Sequence, residues 1–124
     1  MSERIMPDLV RLPVVEAFSP DRLGDRKALA VKVLEEAAEV FGAWQNVYEL
    51  NNEWDPWDYE IVLYECADVI QATVNLACAV VEDHYGDGGL RLDRVESVLD
   101  DAYVYVHEKN DGRCRYVQEP FSDR

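Results

Sequence analysis

Apolar residues return at three- and four-residue steps over three long stretches of the chain, and polar, proline- or glycine-bearing breaks separate them. In the first stretch, residues 26–50, Val33, Ala37, Val40 and Trp44 form one row. Ala30, Leu34, Ala38 and Phe41 form the row beside it. Both rows suit the core of an amphipathic helix, and core packing is the better assignment for Trp44. The second stretch, residues 59–83, is apolar on nearly every side, so it reads as a buried helix, with Asp58 placed to cap it. The third, residues 92–109, carries Val95, Val98, Leu99, Ala102, Tyr103 and Val106 as an inner stripe.

The breaks have turn chemistry. Asn51 to Pro56 is polar and ends in proline, residues 84–89 are rich in glycine, and Asn110-Asp111-Gly112 closes the third helix. Residues 1–18 are a lead-in interrupted by Pro7 and Pro13, in which residues 9–18 have room for a short helix. Ser19-Pro20-Asp21 reads as a helix start, with Asp25 as the alternative because Gly24 weakens the first turn. Residues 113–124 form a tail. No stretch reads as a strand, since Tyr103-Val104-Tyr105-Val106 lies inside a longer helical pattern. The expectation is a single all-α domain over residues 1–124, built as an antiparallel helical bundle.

The polar residues within these helices raise the chemical question. Glu35, Glu36 and Glu39 crowd one side of the first helix together with Lys32, and like charges at i,i+4 cost a helix a few tenths of a kcal/mol. A charged stripe is usually a wet face. The second helix changes that balance, because Glu65 and Asp68 sit three residues apart in an apolar helix, and Asn75 continues their face. A buried carboxylate escapes its desolvation cost by neutralisation, ion pairing or a metal. Lys32 can neutralise one acid. Two helices bearing Glu36, Glu39, Glu65 and Asp68 would offer an all-oxygen site, which suits a hard divalent cation such as Mg2+. The competing reading is a set of buried acids held by Lys32, Arg26 and tyrosine hydroxyls.

EExxE at Glu35–Glu39, 25 intervening residues, then ExxD at Glu65–Asp68 resembles the MazG-like all-α nucleoside triphosphate pyrophosphatases, with their relatives the all-α dUTPases, dCTP pyrophosphatases and phosphoribosyl-ATP pyrophosphatases. The resemblance covers roughly residues 27–116. It implies a Mg2+-dependent hydrolase, with Mn2+ as a substitute, that splits a nucleoside triphosphate into a monophosphate and pyrophosphate. By motif position Glu36, Glu39, Glu65 and Asp68 would be ligands, and Glu35 a neighbouring ligand or base. The resemblance also implies a bundle completed as a homodimer or homotetramer. Lys109, Arg113 and Arg115 match the family's basic segment after the third helix, with Cys114 where a glycine is usual. Salt bridges from them to Asp100 and Asp101 are the alternative to phosphate binding. For the base, Trp44, Trp54, Trp57 and Tyr64 offer stacking surface. Asn75 offers an amide to a base or sugar, and Lys32 a further substrate contact.

Composition narrows the partners. With 26 acidic and 12 basic side chains the net charge is −14, which disfavours nucleic-acid polymers and anionic membrane surfaces. No apolar run approaches about 18 residues, so no bilayer span is expected. Cys66, Cys78 and Cys114 show no metal-type spacing, and a reduced cytoplasmic protein is expected. His84 and His107 lack zinc spacing, and Asp83 and Asp87 lack the EF-hand pattern. A non-catalytic helical module that uses the same bundle to bind a protein partner is the alternative to the enzyme.

Overall fold

In a computed structural model of the 124-residue chain, residues 9–12, 14–50, 57–85 and 92–116 are described. Most of them are helical, with no strand among them. A 3-10 turn at Pro20–Leu23 precedes α1 (Arg26–Gln45), which runs on into a π-helical turn at Asn46–Leu50. α2 (Asp58–Tyr85) and α3 (Leu92–Gly112) follow. The chain divides into two compact units, one of Val15–Val95 and one of Met1–Val14 with Glu96–Arg124.

In the first unit, Asp25 starts α1: its side chain accepts a hydrogen bond from Ala28 N at 2.9 Å. Ser19 makes no such bond, and the proline after it begins only the 3-10 turn. Arg26 grips Asp83 with two nitrogens, at 2.9 and 2.8 Å, and also bonds the Leu23 carbonyl. Bidentate pairing of this kind fixes direction as well as distance. The start of α1 therefore meets the end of α2, while Glu36, further along α1, meets Glu65 and Asp68 earlier in α2. The two helices run antiparallel. Ala72, Cys78 and Ala79 are buried small residues on α2 that permit this approach, and Leu23 closes the lower end, fully buried. Burial pushes the Cys78 thiol pKa up, so this sulfur behaves as an inert apolar group.

The lead-in is not helical where it is described. Phe18 N donates to Asn75 Oδ1 at 3.0 Å, and Gln71 Nε2 donates to the Glu16 carbonyl at 2.9 Å and to Asn75 Oδ1 at 3.2 Å. A side chain of α2 thus takes the Phe18 N–H that a helix over residues 9–18 would have used internally, and another takes the Glu16 carbonyl. Each such bond contributes on the order of 1 kcal/mol.

The rows of α1 also turn out differently. The inward face is Leu29, Val33, Glu36, Val40, Ala43 and Val47. The whole row Ala30, Leu34, Ala38 and Phe41 faces out, with Leu34 71% and Phe41 60% exposed. Trp44 is exposed as well, stacked between Phe41 and Tyr48 at centroid distances of 6.1 and 6.0 Å. The reason is geometric: α1 is apolar on two sides, and one partner helix covers only one.

α2 shows the same excess. It holds an 18-residue window of mean hydropathy 1.3, long and apolar enough by length and composition to cross a membrane, which a search for unbroken apolar runs passes over. Only 17% of that window is buried. α2 carries Glu65 and Asp68, and insertion scales charge an Asp at the centre of a span about 2.5–3.5 kcal/mol. α2 also begins one residue before and ends two residues after the predicted span, so His84 and Tyr85 belong to its last turn.

In the second unit, α3 runs to Gly112 rather than stopping before Asn110. It ends in a Schellman cap, with Arg115 N on the Asn110 carbonyl at 3.1 Å and Cys114 N on the Asp111 carbonyl at 3.0 Å. The cap requires a left-handed residue, and Cys114 takes it at φ 54°. A side chain there costs about 1 kcal/mol or somewhat more. Cys114→Gly is therefore expected to raise stability by about 1 kcal/mol in urea unfolding, whereas Cys114→Val should lower it.

Candidate metal centre

Glu36 is 7% exposed, the most buried acid described. One of its oxygens, Oε1, accepts from Lys32 Nζ at 2.9 Å. The other, Oε2, is buried without a hydrogen-bond partner among the described residues, and so is Oε2 of Glu65 across the helix pair. Glu36, Glu65 and Asp68 each bring one carboxylate oxygen into a group whose members lie within 4.8 Å of one another. Helical spacing explains the placement. Glu65 and Asp68 are one turn apart on α2, and Glu36 is centred on the inward face of α1 between Val33 and Val40.

Charge alone would not arrange this. Three acids of one sign face each other while Leu34 and Phe41 of the same helix face out. Lys32 balances one of them and holds the Glu36 carboxyl below its ordinary pKa, chiefly through their hydrogen bond. Glu39 lies beside Glu36 and Glu65 at the edge of the group. Its carboxyl is held above the ordinary range, first by its contact with Glu36 and then by burial and by Glu65.

The donor set fits a hard divalent ion. It is all oxygen, it holds two buried orphaned acceptors, and oxygens on an octahedral ion at about 2.1 Å sit about 3–4 Å apart.

The other predicted residues fall elsewhere. Glu35 is 57% exposed and reaches only Lys32, at 3.9 Å. Asn75 shares α2 with the acids but is buried, its oxygen taken by Phe18 N and Gln71. Arg26 pairs with Asp83 and Glu82, not with the cluster. Tyr64 donates to Glu60 at 3.1 Å. Trp57 is exposed, whereas Trp54 and Asp87 lie outside the described residues. Lys109, Arg113 and Arg115 belong to the other unit, where Arg115 Nη1 bonds Asn110 Oδ1 at 3.2 Å. Gln71 was not anticipated. Its position midway between Asp68 and Asn75 on the same face was the available signal. No protein-family model matches the chain, and neither a curated protein nor a solved structure matches it.

Proposed function

We propose that the chain is a Mg2+-dependent pyrophosphohydrolase that converts a nucleoside triphosphate to the monophosphate and pyrophosphate. The observation that carries this reading is the buried, unpartnered Oε2 of Glu36 facing Glu65 and Asp68. An unsatisfied buried carboxylate oxygen is costly, and cation binding satisfies it. The spacing of EExxE and ExxD supports the same assignment.

Glu36, Glu65 and Asp68 would hold the ion, with Glu39 beside them as a further ligand. A bound Mg2+ or Mn2+ would polarise the phosphoryl oxygens and make water a usable nucleophile. Glu35, solvent-facing and next in sequence to Glu36, would accept the proton of attacking water. The acids would repel a triphosphate without the cation, so turnover requires it.

The outward Leu34, Phe41, Trp44 and Tyr48 surface supports assembly of the helices into a bundle through a second copy, as a dimer or tetramer. The same surface is the observation favouring the second reading, a non-catalytic module that docks a protein.

The test is direct. Purified protein is incubated with each ribo- and deoxyribonucleoside triphosphate and MgCl2, and pyrophosphate is measured. Release with at least one substrate, abolished by chelation, is expected. No release with any of them, from folded protein, rejects the enzyme.

A further inference from the structure

We propose that Lys32 sets the cation selectivity of this centre, by occupying one oxygen of Glu36 so that only the other can ligate. The inference rests on the metal-centre reading above. Lys32 lies one turn before Glu36 on α1, and its ammonium bonds Oε1 at 2.9 Å while Oε2 is left bare and buried. Because both residues belong to one helix, the hold does not depend on α2. The ammonium stays charged, its pKa raised chiefly by the hydrogen bond to Glu36.

The consequence differs between cations. Ca2+ takes six to eight oxygens at about 2.3–2.6 Å and gains from bidentate carboxylates, whereas Mg2+ takes six at about 2.0–2.1 Å, one per carboxylate. Pinning Oε1 denies Ca2+ a second oxygen from the most buried acid and denies Mg2+ nothing it uses. Lys32 is a positioning residue in this account: it touches Glu36, not substrate. A role in charge balance alone would alter the affinity for both ions by one factor, so the ratio of affinities isolates the proposed role.

The side chain of Lys32 is 55% exposed, so shortening it leaves no cavity. Metal-free wild type, Lys32→Met and Lys32→Arg are titrated calorimetrically with MgCl2 and with CaCl2. Lys32→Met should raise Ca2+ affinity relative to Mg2+ by about tenfold, the scale of losing one group that orients a ligand. Lys32→Arg keeps a donor on Glu36 and should keep the wild-type ratio. Should Lys32→Met fail to fold, as judged by circular dichroism, Lys32→Ala decides with the same expectation. An unchanged ratio in the variant lacking the donor overturns the proposal while leaving the metal centre standing. Wild type that binds neither cation overturns both.

Discussion

Asp68→Asn is expected to cut pyrophosphate release by about 10³-fold, the scale on which removing one preorganised charge partner of a transition state falls. The substitution keeps size and shape and removes one negative charge from the oxygen group of Glu36, Glu65 and Asp68. An amide oxygen is a weaker ligand for a hard cation than a carboxylate. Glu65→Gln should behave alike, and a double variant should lose little more than either single one, because the ligands act as a unit. The melting temperature of the metal-free protein should hold or rise, since fewer like charges face each other. Stability and rate thus move apart, and that separates the enzyme from a module in which the acids serve as structural ion pairs. Loss of folding in both variants, with no turnover by the wild type, would favour the module. Circular dichroism melts recorded beside the pyrophosphate assay decide the matter.

The exposed apolar surface bears on the same proposal. Among the described residues, the Leu34–Phe41 side of α1 is exposed and only 17% of the apolar window of α2 is buried. Covering them with a second copy would bury apolar area and lower the local dielectric around the acids. Both effects would strengthen attraction between the carboxylates and a cation.

The helices were legible because their periodicity is long and their breaks are chemically plain. Asp25 could be named as an alternative start because Gly24 weakens the turn before it, and Asn110 to Gly112 marked the end of α3 within a few residues. The facing of α1 was not legible. Two apolar rows and one acidic stripe are compatible with more than one rotation about the helix axis, and packing against α2 chose between them. The lead-in misled for a related reason: its backbone partners are Gln71 and Asn75, more than fifty residues away, and no local pattern reports them. Within the site, Glu36, Glu65 and Asp68 could be grouped because helical spacing fixes which acids share a face. The asymmetry of Glu36, one oxygen on Lys32 and the other bare, needed coordinates.

The metal-free protein is expected to be most stable at mildly acidic pH, and Mg2+ is expected to move that optimum toward neutrality. Two groups act on the acid side. Glu36 is lowered by Lys32, and Asp83 by Arg26. Their stabilisation is present above the ordinary carboxylate range and is lost as pH falls through the depressed values. Glu39 acts in the opposite sense. It is raised by Glu36, by burial and by Glu65, so folded protein binds more protons than unfolded above the ordinary glutamate pKa. Stability therefore falls as pH climbs from that ordinary value through the raised one. Lys32 faces the same group but stays charged across this window. A divalent ion would compete with protons for the Glu39 carboxylate, so its binding should strengthen with rising pH, and saturation at a hundred times Kd adds about 2.7 kcal/mol. Glu39→Gln should remove the decline toward neutral pH in the metal-free protein and weaken the stabilisation by Mg2+. Thermal melts from pH 4 to 8, with EDTA and with MgCl2, read each of these effects. A metal-free stability that rises steadily to pH 8, with a Mg2+ increment independent of pH, would show that the four acids do not share one site.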